Sequence, residues 1–560
     1  MESAGATVVS RTIPVHFLER AALHPRRVAM RSSAAANGAS VITWGSWSDL
    51  ARKFAAAIIN SSAKETRSVA ILAGNDFHWP VADIGTLLCG KTSVGIYPTS
   101  APVQIERMLV DCAAGILVID SREQLDVVLA MRDKLPALEV IITTTSLAHP
   151  ETISWDEWLA IGAAALAGVA GLREEIEAVA RAARREDPAI IIYTSGSTGE
   201  PKGAVLSHGC IEASAQSIRE ALGLLETDTT LSFLAFSHAA ERIAGMYTRI
   251  ACGMEAMLVE DASYLWQAAA SYRPTLFGGM PRYYEKLLAL ARAEDASANE
   301  LLGGRVRIAT SGGAALSTEV AEELAKRGIT VLGAYGLTEH LCVSFNRPGD
   351  PTFDTSGTAM PGTEIRIAAD GEILVRRCEL TFSGYNNMPE DTRAVFTDDG
   401  EWLLRTGDLG MLDSSGRLRV TGRKKELLAL SNGKMVAPLP IEAKLAAHPL
   451  IANAVLHAEG RQFVSALIAL RTDSLEAWAK AEGITGSHDE LAAHSRVAVE
   501  IQKAVDQVNA TLSRAESIRR FVTIGRELSV DASELTPTHK VRRNAVLEKY
   551  SAQLDALYAT

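Results

Sequence analysis

Hydroxyls, glycines and a lysine crowd the stretch Tyr193-Thr194-Ser195-Gly196-Ser197-Thr198-Gly199-Glu200-Pro201-Lys202-Gly203, which follows the apolar run Ala189-Ile190-Ile191-Ile192. The run reads as a buried strand and the stretch as a flexible loop around a polyanion. Glycines let backbone N–H groups turn toward phosphate oxygens, hydroxyls add donors or a magnesium contact, and a lysine adds a point charge. A Walker A loop is excluded, because Pro201 precedes Lys202 and no Ser or Thr follows it. A surface turn shares this composition; the Pro-Lys-Gly ending favours a phosphate site.

More reactive residues fall where other apolar runs end. Leu231-Ser232-Phe233-Leu234 leads to Phe236-Ser237-His238-Ala239-Ala240-Glu241-Arg242, and a histidine just after a strand can reach a cleft, although a satisfied core histidine is the commoner case. Arg305 to Ser311 ends in Ser311-Gly312-Gly313-Ala314-Ala315, small residues that permit close approach of a flat ring. Thr330-Val331-Leu332 leads into Gly333-Ala334-Tyr335-Gly336-Leu337-Thr338-Glu339, which carries an aromatic, a hydroxyl and a carboxylate. Three strand ends thus supply a lysine loop, a small-residue shelf and an acid. Farther on come Arg405-Thr406-Gly407-Asp408, Gly422-Arg423-Lys424-Lys425-Glu426 and Leu535-Thr536-Pro537-Thr538-His539-Lys540-Val541-Arg542-Arg543.

The elements that must position these residues alternate between helix and strand. Trp47, Leu50, Phe54 and Ile58 recur at helical spacing after a Ser46 cap with Asp49 three residues on. Val69 to Ala73 reads as a buried strand. Asn75 to Gly90 and Val103 to Cys112 read as helices, each followed by a β-branched run, Thr92 to Tyr97 and Ile116 to Ile119. Trp158 to Leu172, rich in Ala and Gly, reads as one helix, and Arg173 to Glu186 as a solvated helical face. Ser317 caps a further helix that Lys326-Arg327-Gly328 closes. Hairpin signals at Asp370-Gly371 and Asp413-Ser414-Ser415-Gly416 make the later chain antiparallel. From Glu426 onward a short α/β pattern of about 130 residues is long enough for its own domain.

With 560 residues, 47% hydrophobic and 22% charged, the chain can bury large cores and is too long for one ordinary domain. A net charge of -11 argues against nucleic acid or an anionic membrane as the main partner. The six cysteines show no CxxC or metal spacing and read as buried thiols of a reducing compartment. Without a basic start and apolar core the N-terminus does not read as a signal peptide, and no segment reaches the roughly 20 apolar residues of a membrane span, so a cytoplasmic protein is expected.

Taken together, Tyr193 to Gly203, Tyr335 to Glu339, Thr406-Gly407-Asp408, Gly422-Arg423 and Pro537-Thr538-x-Lys540 resemble, in order and spacing, the adenylate-forming superfamily of acyl-CoA synthetases, peptide-synthetase adenylation domains and beetle luciferases. The resemblance runs from about Trp44 to the C-terminus. Tyr97-Pro98-Thr99-Ser100, His238-Ala239-Ala240-Glu241-Arg242, Pro274 to Lys286 and Leu535 to Lys540 resemble the long-chain acyl-CoA ligases in particular. One departure is a short Lys286-to-Gly303 segment, where long-chain members carry an extra helical insertion; a shorter or aromatic acid is the alternative substrate.

The resemblance implies an α/β fold: a large N-terminal domain, residues 1–424, of mixed sheets and helices with a β-barrel-like subdomain, and a small mobile α+β domain, residues 425–560. It implies that ATP and a carboxylic acid give acyl-adenylate and pyrophosphate, after which a thiol, coenzyme A or that of an acyl carrier protein, displaces AMP. Lys540 is the expected catalytic cation. Thr194, Ser195, Gly196, Ser197, Thr198, Gly199 and Lys202 are expected to hold phosphates, with Glu339 and Thr198 on magnesium. Gly313, Ala314, Tyr335, Gly336 and Thr338 are expected around the nucleotide, Asp408 on the ribose hydroxyls and Arg423 on ribose or phosphate. Lys425 is expected as the hinge, Gly433 beside the thiol channel and His238 on the wall between acyl pocket and thiol entry. A catalytically silent binder is the competing class, and intact Lys202, Glu339, Asp408 and Lys540 argue against it.

Overall fold

The computed structural model describes residues 11–32, 40–144, 147, 149–195, 200–536 and 540–559. An eight-stranded sheet runs in the order Gly384–Tyr385, Pro201–Ser207, Pro188–Ser195, Thr92–Gly95, Ser68–Leu72, Ile116–Ile119, Val140–Thr143, Ile153–Ser154. Its middle strands are parallel and largely apolar because both faces are covered, Ile116–Ile119 wholly so. Val69, Ile71, Ile116, Val118, Ile190 and Ile192 point into one core, and Ala70, Leu72, Leu117, Ile119, Ile191 and Tyr193 into another.

A nine-stranded sheet runs from Thr358–Ala359 through His340–Phe345, Val331–Leu337, Ile308–Ser311, Leu276–Gly279, Thr229–Ser232, Glu255–Leu258 and Val28–Ser32 to Val41–Thr43. Parallel pairing of Leu276–Gly279, Ile308–Ser311 and the start of Val331–Leu337 sets the Gly312-Gly313-Ala314 shelf beside Tyr335. The expected barrel-like unit is an antiparallel sheet of four strands, Ile365–Ile367, Glu372–Arg376, Leu403–Leu412 and Leu418–Arg423. From Leu428 on, apolar residues gather into cores of their own around Ile451–His457, Val464–Leu470 and Ile518–Ile524.

Several local readings change. The helix over Trp44–Ile59 is capped by Thr43, whose side chain accepts from the Ser46 N–H, so Ser46 is the reciprocal partner three residues on and not the cap. The Ala/Gly helix is Trp155–Gly168 and stops short of Leu172, and after a break at 169–171, where Gly171 takes φ 81°, the charged segment forms its own helix, Leu172–Ala182. The second helix buries Leu172, Ile176 and Ala180, so only its other faces are solvated. The lysine stretch is a hairpin, with Thr194 paired across from Lys202. Tyr335 and Glu339 belong to a second hairpin, in which Thr338 and Glu339 form the turn between Val331–Leu337 and His340–Phe345. The Ser317 cap holds as read, accepting from the Val320 N–H.

His208 and His340 are 3% and 0% exposed, and burial holds both imidazoles at about 4. The fold favours their neutral form, so their contribution is complete above the unfolded value near 6.5 and is lost as pH falls toward 4. It amounts to about 3 kcal/mol for each at the limit. The denaturant midpoint is therefore expected to drop between pH 6.5 and 4.5; a level midpoint across that window overturns the assignment.

Candidate active site

Asp408 and Arg423 are cross-strand partners in Leu403–Leu412 and Leu418–Arg423. The Asp408 carboxylate is buried, accepts from the Tyr335 hydroxyl at 2.7 Å and meets Arg423 Nε at 3.1 Å. Burial, then the Asp408 charge, push the Tyr335 phenol well above its ordinary range, so it stays a donor. Gly336 has a packing reason beside its expected ligand role: a Cβ there would lie 1.7 Å from the Leu341 carbonyl oxygen across the hairpin. Gly313, at φ 81°, and Ala314 are exposed, and the nearest heavy atom to a Cβ on Gly313 is Met280 Cε at 3.9 Å, which leaves the shelf open.

Lys540 enters from the other unit. Its N–H donates to Thr536 Oγ1 at 3.0 Å and its carbonyl accepts from the Thr536 N–H at 2.8 Å. Desolvation and then Arg423 lower the ammonium's pKa, against the pull of Asp408, Glu426 and Glu339. The same ammonium bears on His238, whose imidazole burial, aided by Lys540, holds at about 4. Lys540, Arg423, Asp408, Glu339 and His238 thus share one electrostatic neighbourhood.

His238 sits at the entry to a π-helix, Ala240–Tyr247, a winding found often at functional sites. Its Nδ1 accepts from the Ala240 N–H at 3.1 Å, and its carbonyl from the Arg242 N–H at 2.9 Å. Arg242 is fully buried: it pairs with Asp83, donates to Ser93 Oγ at 2.6 Å and lies 4.9 Å from the Trp79 ring. Glu241 pairs with Arg249 at 3.0 Å. The charged residues of this stretch are therefore buried braces behind the histidine.

At the lysine hairpin, Lys202 pairs with Asp391, and its ammonium lies 5.5 Å from the Tyr385 ring centroid. The Tyr385 hydroxyl donates to Glu339 Oε1. Strand Gly384–Tyr385 pairs with Pro201–Ser207, so one tyrosine joins the turn carboxylate to the lysine hairpin. Thr194, next to last in its strand, is half-buried with Oγ1 3.5 Å from the Lys202 carbonyl oxygen, and Ser195 is the strand's last residue. Gly196, Ser197, Thr198 and Gly199 lie outside the described residues, as do Pro537, Thr538 and His539. Gly433, at φ 80°, occupies an exposed turn between Leu428–Ala429 and Met435–Val436.

Among the described residues no group of three His, Cys, Asp or Glu side chains is placed to hold a metal. Glu339 alone still fits magnesium, which keeps waters and substrate phosphates as ligands and takes one or two carboxylates. Tyr385 and Asp391 are absent from the sequence-derived site. Pro389 with Glu390 and Asp391 marks a helix start, but nothing local signals a partner 189 residues away.

The fold and the order of these motifs are those of the adenylate-forming enzymes. The chain belongs to the AMP-binding enzyme family, which matches residues 17–390, and the AMP-binding enzyme C-terminal domain matches residues 425–560. It is 31% identical over 574 residues to the long-chain-fatty-acid–CoA ligase FadD15 of Mycobacterium bovis, covering 92% of this chain and 93% of that one. The human long-chain-fatty-acid–CoA ligase ACSBG1 is 27% identical over 597 residues, covering 92% and 81%. In fold the chain is similar to the anthranilate CoA ligase AuaEII in complex with anthranoyl-AMP, with TM-score 0.80, 22% identity and coverage of 99% and 100%. Among the described residues no helix is long and apolar enough to cross a membrane.

Proposed function

We propose that the protein is an AMP-forming acid–thiol ligase that activates a fatty acid with ATP and transfers the acyl group to coenzyme A. The observation that carries this reading is the buried Asp408 carboxylate, held by the Tyr335 hydroxyl at 2.7 Å and Arg423 Nε at 3.1 Å, with Lys540 of the C-terminal unit within electrostatic reach. In the first half-reaction the acid's carboxylate oxygen attacks the α-phosphorus and pyrophosphate leaves. Lys540 meets the charge that grows between carboxylate and α-phosphate oxygens, where a preorganised cation is strongest. Asp408, held by Tyr335 and Arg423, keeps acceptor capacity for the ribose hydroxyls, and Gly313 and Ala314 leave room for the base. Lys202 and the hairpin around it face the outer phosphates. Glu339 and Thr198 would hold magnesium, which screens the phosphates and improves the leaving group.

In the second half-reaction the thiolate sulfur attacks the acyl carbon and AMP leaves. Residues 425–560 act as the mobile domain, turning about Lys425 to withdraw Lys540 and bring Gly433 to the thiol channel. Separate cores on the two sides of Leu428 support that division. His238, uncharged at neutral pH, forms the wall between acyl pocket and thiol entry. The names of the relatives favour a long-chain acid, whereas only residues 294–297 separate helices Pro281–Ala293 and Ala298–Leu301. Unpaired cysteines and the choice of ATP and coenzyme A as substrates support a cytoplasmic enzyme.

The test is ATP–pyrophosphate exchange with magnesium across a panel of fatty, short and aromatic acids, followed by coenzyme A or a carrier protein as acceptor. Exchange with fatty acids and turnover with coenzyme A carry the reading; no acid-dependent exchange with any acid leaves a silent binder. A related expectation concerns Asp391, which occupies Lys202 and adds negative charge near the triphosphate. Asp391→Asn is expected to tighten ATP about threefold to tenfold with little change in kcat, on the scale of a partly exposed ion pair. Equilibrium ATP binding without acid checks it, and weaker binding would mean that Asp391 aims Lys202 instead.

A further inference from the structure

Glu285 belongs to the Pro281-Arg282-Tyr283-Tyr284-Glu285-Lys286 stretch, whose charges the adenylation chemistry above leaves unused. It lies on helix Pro281–Ala293, which is tied to the shelf-bearing sheet. The Tyr284 hydroxyl is 2.8 Å from the Phe277 carbonyl oxygen and 2.9 Å from that of Thr310, on the two strands beside the shelf. Across the boundary, Arg471 Nη2 lies 3.5 Å from Glu285 Oε2, with the two side chains 18% and 22% exposed.

Arg471 is itself fixed. Its Nε donates to the Pro449 carbonyl at 3.3 Å and its Nη2 to the Ile451 carbonyl at 3.1 Å. It follows strand Val464–Leu470, which pairs with Ile518–Ile524, the last strand before Lys540. A chain of contacts therefore runs from the shelf, through Tyr284 and Glu285, across the ion pair to strand Val464–Leu470 and its partner Ile518–Ile524. Burial raises the Glu285 pKa and Arg471 opposes it, so the carboxylate is harder to keep charged once its partner leaves.

We infer that Glu285 and Arg471 are positioning residues for the first half-reaction: they dock the C-terminal unit in the arrangement that delivers Lys540. The inference rests on the reading that Lys540 in the cleft marks the adenylating arrangement. The two groups sit on different bodies, so any rotation that withdraws Lys540 separates them. A pair with this exposure contributes enough to bias a population and too little to lock it.

The experiment uses the full chain with Glu285→Gln, Arg471→Gln and the exchanged pair Glu285→Arg with Arg471→Glu. Each single variant is expected to lower acid-dependent pyrophosphate exchange about fivefold, the effect of about 1 kcal/mol on a population. Conversion of supplied acyl-adenylate to thioester stays level, and the exchanged pair recovers most of the loss. Domain orientation is read by energy transfer between dyes on Val103→Cys and Val499→Cys, both exposed positions, in a Cys378→Ser background. The single variants should reduce the closed population. Unchanged exchange and unchanged transfer overturn the inference, as does parallel loss of both half-reactions without a change in orientation. If the unaltered protein shows no acid-dependent exchange while the variants still open it, the adenylating reading falls and the docking pair stands.

Discussion

Lys540→Ala is expected to lose adenylate formation by about 10²–10³-fold, the scale seen when one preorganised electrostatic contact to developing charge is removed. Thioester formation from supplied acyl-adenylate should be largely spared. The selectivity follows from position: Lys540, itself exposed, lies within electrostatic reach of Arg423, Asp408, Glu339 and His238 and is carried there by a unit with its own core. Removing the ammonium takes one positive charge from beside Arg423 and leaves the Asp408–Tyr335 bond intact, so ATP binding should change little. Rapid-quench measurement of each half-reaction separates the effects. Equal loss in both would sink the account in which one site serves two reactions from two arrangements.

How far the chain could be read in advance depended on how local each signal was. Buried parallel strands such as Ile116–Ile119 announce themselves, because both faces demand apolar residues and no alternation survives. The Ser317 cap was equally legible, since a cap and its partner lie three residues apart. Ser46 misled because both members of a reciprocal cap carry hydroxyls, and only backbone dihedrals tell Thr43 from Ser46. Asp408 and Lys540 emerged from ordered motifs. Tyr385 did not, because its partners Glu339 and Lys202 lie on separate hairpins that only the folded sheets bring together. Glu285 was visible as part of a motif, yet its contact 186 residues away was not. Long-range polar contacts leave no periodic trace, and that is where the sequence was silent.

Lys425→Pro is expected to keep acid-dependent pyrophosphate exchange and to lose most coenzyme A-dependent turnover. On one side of this residue, Lys424 is anchored to the four-stranded sheet through Asp370 Oδ2 at 2.6 Å and Glu372 Oε2 at 2.9 Å. On the other side, Leu428 is buried in the C-terminal core. In the proposed rotation the change would fall on residues 425–427, and Lys425, exposed in the short 3₁₀ turn Lys424–Glu426, is the first of them. Proline fixes φ near -65°, which a 3₁₀ turn tolerates, and removes a backbone N–H. A residue that must change its dihedrals between two arrangements then retains the one described here, with Lys540 in the cleft, and loses the other. The new ring also pushes Lys424 toward extended backbone, so the melting temperature is measured alongside. A general folding defect lowers both half-reactions and that temperature together, whereas a blocked pivot lowers only thioester formation. If exchange and ligation fall in parallel on a folded variant, or neither changes, the pivot lies elsewhere and the boundary at 424/425 moves with it.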